Sequence, residues 1–154
     1  MTYTEIIAGL HDLKDAEKVI FKEQKFGIIS NNSLGIYHKE LKMIAKEIGP
    51  NNELALQLFD SGIYEGRLLC SKMFKPEDVT EALMEKWVKT FENWEICDSF
   101  SMGLFAKSKF AIRSWSAHRD QGKIVFLRCT DLQHHVIHRT SLGNQHINQG
   151  AEDR

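Results

Sequence analysis

Asp98 is the residue whose surroundings most suggest chemistry, because residues 94–105 (WEICDSFSMGLF) are the most apolar helical text in the chain. An acid in such text is rarely buried without a partner or a task. Trp94 stands four residues earlier, so on a helix the two side chains share a face and form one aromatic and carboxylate wall. A carboxylate in a low-dielectric pocket can stabilise a developing cation or orient a water, which makes Asp98 and Trp94 the candidate catalytic pair. The alternative is architectural: Asp98 caps a break in the helix and Trp94 is core packing.

Lys39, Lys42 and Lys46 fall on one side of a helical pattern and could track a phosphate backbone, with Lys72 and Lys75 farther along. A plain solvated face explains the same stripe. His134, His135 and His138 include an i, i+4 pair, but no HExxH and no fourth ligand at a recognised interval accompany them, so no metal site is expected. Cys97 beside Asp98 reads as a buried inert thiol rather than a nucleophile. The chain contains no P-loop, no GxGxxG and no GxSxG, and no cofactor is expected.

The elements that must position Asp98 are helical throughout residues 1–112. Within residues 36–48, Leu41, Ile44, Ala45 and Ile48 recur at i, i+3, i+4 and i+7, opposite the lysine stripe. Gly49 and Pro50 stop that helix, and Asn51 or Asn52 can cap the next, whose buried side is Leu54, Ala55, Leu58 and Phe59. Ser61 and Gly62 end it. A further helix runs over residues 64–74, and Thr80 caps another carrying Met84, Trp87, Val88 and Phe91. Residues 94–105 are apolar nearly all round, which predicts a core or deep-groove helix, and helices over residues 4–10 and 16–25 complete the set. No convincing alternating strand is present. The pattern predicts an all-α fold of antiparallel helix pairs, either a bundle or a HEAT-like solenoid.

The length of 154 residues suits one domain, and 42% apolar with 27% charged residues is ordinary globular composition. With 20 basic and 21 acidic side chains, bulk charge attracts neither nucleic acid nor membrane, so any such partner must meet a local patch. Cys70, Cys97 and Cys129 match no zinc or CxxC spacing and read as reduced thiols. No h-region and no run of about 18 uncharged apolar residues is found, which predicts a cytoplasmic protein. The near-neutral total hides two unlike parts. Residues 1–112 carry 13 Lys and one Arg against 17 acids, whereas residues 113–154 carry one Lys and five Arg against four acids, together with five of the seven histidines.

Several blocks in order resemble the DNA alkylation repair family of HEAT-like DNA glycosylases: residues 41–49 (LKMIAKEIG), 52–58 (NELALQL), 60–69 (DSGIYEGRLL), Trp87-Val88 and 94–98 (WEICD). The resemblance covers about residues 4–112 and favours an armadillo-like or HEAT-like helical-repeat solenoid over a bundle. It implies removal of cationic N3- or N7-alkylated purines from duplex DNA by hydrolysis of the N-glycosidic bond, without flipping the lesion into a pocket. It also implies that Asp98 is the catalytic carboxylate, that Trp94 lends its π face to the cationic sugar or lesion, and that the lysine stripe meets the DNA backbone. A non-catalytic helical-repeat module binding DNA or protein is the alternative.

The resemblance lapses after Ile112. Family members continue there through further helices that supply an Arg and an aromatic to complete the DNA groove, whereas Trp115 and Arg119 stand at no matching spacing. Residues 113–154 are therefore expected to be a divergent, frameshifted or disordered tail on a truncated repeat domain. Impaired activity and self-association through an uncapped helical face would follow.

Overall fold

The structure, a computed structural model, describes residues 1–109. The expectations for residues 113–154, with His134, His135, His138, Trp115, Arg119 and Cys129, lie outside the described residues. Within them the regular structure is helix alone: α1 (Tyr3–Asp12), α2 (Ala16–Phe26), α3 (His38–Ile48), α4 (Asn52–Phe59), α5 (Tyr64–Met73), α6 (Glu81–Val88) and α7 (Trp94–Gly103), with 3-10 turns at Pro76–Asp78 and Phe105–Lys107. None of these helices is long and apolar enough to cross a membrane.

Local chemistry sets the helix boundaries. The hydroxyl of Thr2, the carboxylate of Asp15, the amide oxygens of Asn51 and Asn93 and the hydroxyl of Thr80 each accept a backbone N–H in a first turn. Gly27 and Gly62 take left-handed φ values of 64° and 76° beyond the ends of α2 and α4. The expected boundaries hold closely, with two differences. The helix begun at Thr80 ends at Val88 rather than Phe91, and Phe91 reaches the core from the following turn. The last helix ends at Gly103, after which Phe105 enters the core from the 3-10 turn.

Helix α5 lies at the centre, packed against α3, α4 and α7. Tyr64, Leu68, Leu69 and Met73 are its buried apolar side chains, joined by Leu41 of α3, Leu58 of α4 and Ile96 of α7. Aromatic rings gather around the fully buried Trp87, with Phe74, Phe100 and Phe59 at centroid distances of 5.2, 5.3 and 5.9 Å. Cys70 is a free, buried thiol, its pKa pushed up to about 12 by that burial.

Two features have no counterpart in this apolar logic. Glu65 of α5 is fully buried and accepts the backbone N–H groups of Leu34, Gly35 and Ile36 at 2.8, 2.9 and 3.3 Å, with the Ser33 hydroxyl at 2.9 Å. It thereby ties the connection leading into α3 to the central helix. In α2 the buried side chain is Lys22, while Ile20, Phe21 and Phe26 are exposed, so this helix docks by charge rather than by an apolar face.

Candidate functional site

Asp98 and Trp94 stand one turn apart on α7, as their spacing requires, and Met102 continues the same line another turn on. Helix α7 is not buried all round, contrary to the sequence expectation. Ile96, Cys97 and Phe100 face the core, whereas Trp94 and Asp98 are half-buried and Met102 is 72% exposed. Asp98 therefore lies on an open face and has no hydrogen bond or ion pair among the described residues. Loss of water around its carboxylate, with no cation to compensate, raises its pKa above the usual aspartate value. The cap of α7 is Asn93 rather than Asp98, which removes the capping explanation for the acid.

Three consecutive side chains anchor this end of α7. The indole N–H of Trp94 donates to the Phe26 carbonyl at 3.0 Å. Asn93 accepts from the Ile96 N–H at 3.2 Å, its Oδ1 lies 2.9 Å from the Tyr64 hydroxyl, and its amide donates to the Ile29 carbonyl at 3.1 Å. Glu95 is buried, with the Lys22 ammonium 2.8 Å from Oε2 in an ion pair of poor hydrogen-bond alignment. The Tyr64 hydroxyl is also 2.9 Å from that oxygen and shares its one proton between it and Asn93, and Nε2 of His38 faces Oε1 at 3.5 Å.

The cluster runs outward from there. Lys72 lies 3.1 Å from Nδ1 of His38 and donates to the Ser99 hydroxyl at 3.3 Å, and Ser99 is 2.7 Å from the Ser71 hydroxyl. An ammonium beside Nδ1 requires that nitrogen to accept, so the neutral imidazole carries its proton on Nε2, toward Glu95. Partial burial of a ring still 45% exposed, and then the charge of Lys72, lower the His38 pKa against the opposing pull of Glu95, which favours this neutral form. Burial also lowers the pKa of Lys72; the charge of Glu95 opposes that shift, and Lys42 and Lys107 add smaller repulsions. Positive charge from α3, α5 and the 3-10 turn after α7 thus converges near Lys72.

Lys39, Lys42 and Lys46 are exposed along α3 and enter no ion pair among the described residues. Of these, Lys42 is the one whose charge is felt by Lys72. Sequence reasoning missed Glu95, although the argument that singled out Asp98, an acid in apolar helical text, applies equally to it. Lys22 carried no such signal, since a lysine on a polar helix is unremarkable until its burial is seen. Among the described residues no group of His, Cys, Asp and Glu is arranged to hold a metal ion.

Among curated proteins and solved structures, none matches this chain. A family model described as DNA alkylation repair enzyme matches residues 6–121, about three quarters of the chain, and spans α1 to α7 with the Trp94 and Asp98 face. The match ends nine residues past Ile112, where the sequence resemblance was expected to lapse. With its helices, its half-buried acid and three quarters of its length inside that match, the chain belongs to the DNA alkylation repair enzyme family.

Proposed function

We propose that this protein is a DNA glycosylase that hydrolyses the N-glycosidic bond of cationic N3- or N7-alkylated purines in duplex DNA, with Asp98 as its catalytic carboxylate. The observation that carries this reading is an acid with raised pKa and no partner among the described residues, one turn from a half-buried tryptophan, on the open face of α7. The bond between sugar C1′ and the purine nitrogen breaks with its electron pair going to the base, which discharges the alkylated ring. Water then adds to C1′ and loses a proton, leaving an abasic site. Asp98 stabilises the oxocarbenium character of the sugar and orients the water, while Trp94, held by its bond to Phe26, offers an aromatic face to the cation. The lesion's own charge makes it a good leaving group, so two side chains carry the proposed chemistry.

Lys39, Lys42 and Lys46 would meet the DNA backbone, and the convergence of Lys42, Lys72 and Lys107 adds a second lysine set from other elements. The placement of α5 between α3 and α7 supports a HEAT-like succession of helices. The tail expected to be foreign from residue 113 starts later than that, because the family match runs to residue 121; the residues beyond it belong to this proposal as a tail foreign to the repeat domain, which lowers activity and favours self-association. Translating the parent gene in its other frames should recover a family-like helical continuation past residue 121, and its absence would contradict that part.

The experiment on activity is direct. Methylated duplex incubated with the full chain should yield free 7-methylguanine or 3-methyladenine and an abasic site. Duplex binding without either product would instead favour a non-catalytic helical-repeat binding module.

A further inference from the structure

We propose that Glu95, through its buried ion pair with Lys22, is a positioning residue that fixes the pose of Trp94 and Asp98. The inference rests on the catalytic reading of Asp98 given above, but its first test does not.

Asn93, Trp94 and Glu95 each reach a different group of α2 or of the segment after it: the Ile29 carbonyl, the Phe26 carbonyl and the Lys22 ammonium. Two of these are bonds to backbone carbonyls, which hold the first turn of α7 close to residues 26–29. The third is a charge pair, and Lys22 is the buried side chain of α2, whose neighbours Ile20 and Phe21 are exposed. The pair is therefore the buried side-chain contact that seats the middle of α2 against α7, next to the carbonyl that holds Trp94. Tyr64 links the two arrangements, because its hydroxyl lies 2.9 Å from both Asn93 Oδ1 and Glu95 Oε2 and its single proton is shared between them, and the Lys22 ammonium lies 5.6 Å from its ring centre. Asp98 is three residues beyond Glu95 on the same helix, so a shift of that first turn carries the acid with it.

A buried ion pair is weak evidence for stability, since burying two charges offsets much of their attraction. Its effect on geometry is sharper. Removing one partner leaves an unpaired charge that must find water or another partner, whereas replacing both by neutral side chains of similar size is often tolerated. Glu95→Gln should therefore disturb α7 by stranding the Lys22 charge, and Lys22→Met in the same chain should relieve the disturbance.

The first test reads Trp94 without any activity. In the full chain carrying Trp115→Phe, Trp87 is fully buried, so acrylamide quenching of indole fluorescence reports mainly Trp94. Glu95→Gln should raise the quenching constant about twofold, and the Lys22→Met, Glu95→Gln double variant should return it toward the starting value. The second test is single-turnover release of 7-methylguanine from a duplex carrying one such lesion. Glu95→Gln should slow release by about tenfold or more with half-saturating enzyme concentration unchanged, and the double variant should regain most of the rate. Folding is controlled by circular dichroism and melting for every variant.

Unchanged quenching in a folded Glu95→Gln chain, or a double variant as disturbed as the single one, would overturn the proposal. Quenching that follows the expected pattern in a chain that releases no base would uphold the positioning and count against the glycosylase reading alone. Release that falls in Glu95→Gln and is not regained in the double variant would assign Glu95 a direct role and overturn the positioning one.

Discussion

Asp98 holds its carboxylate at a cost to the fold. Its pKa is raised by loss of water with no compensating cation. Between the ordinary aspartate value and the raised one, the folded chain keeps a proton that the unfolded chain has released, so stability falls as pH rises through that window. At neutral pH the ionised acid carries the whole penalty. Asp98→Asn should therefore raise the melting temperature at neutral pH, and the gain should shrink as the pH falls through that window and be gone below the ordinary aspartate value. A lower melting temperature for the variant at neutral pH would mean that a favourable contact holds the carboxylate. His38 acts with the opposite dependence. Its folded pKa lies below the ordinary value of 6.5, so the unfolded chain takes up a proton first and stability falls as pH drops through that value. Protonation would also set Nδ1–H against the Lys72 ammonium and break their contact. Melting curves followed from neutral pH downward should show this loss, and His38→Gln should flatten it.

At the scale of elements, Glu65 is the strut on which the entry to α3 depends. Glu65→Ala would leave the N–H groups of Leu34, Gly35 and Ile36 unpaired in the interior, at a cost of about 3 kcal/mol or more in urea unfolding. A loss under about 1 kcal/mol would show that water reaches those amides. Gly35 sits in the same connection with φ +80°, and an added Cβ would collide with the Asp15 carbonyl oxygen, so Gly35→Ala should be at least as damaging. Most helices were legible in the sequence, because apolar spacing and caps such as Asn51 and Thr80 are local signals. Glu65 was not, since its partners lie about thirty residues away and nothing in its own neighbourhood marks it as buried. The docking of α2 was hidden for a related reason: hydrophobic periodicity cannot report a helix seated through one buried lysine.

Across the whole molecule, the legible part of the candidate site was the part that lies on one helix. Trp94 and Asp98 share a turn of α7, and spacing alone places them on one face. The cationic region was only partly legible, because Lys39, Lys42 and Lys46 lie on α3 whereas Lys72 and Lys107 come to it from elsewhere in the chain. If this region meets DNA, affinity should fall steeply with salt, and Lys72→Ala should weaken binding to all sequences alike while reducing the log-log salt slope by about 1. An unchanged slope would remove Lys72 from the backbone contacts. Binding, however, serves a glycosylase and a passive module equally. The measurement that separates them is single-turnover release of 7-methylguanine by the full chain and by Asp98→Asn, with duplex affinity followed in parallel. The substitution should slow release by roughly 100-fold or more and leave affinity within about threefold. Release by Asp98→Asn at the rate of the unmodified chain would contradict the catalytic role of Asp98.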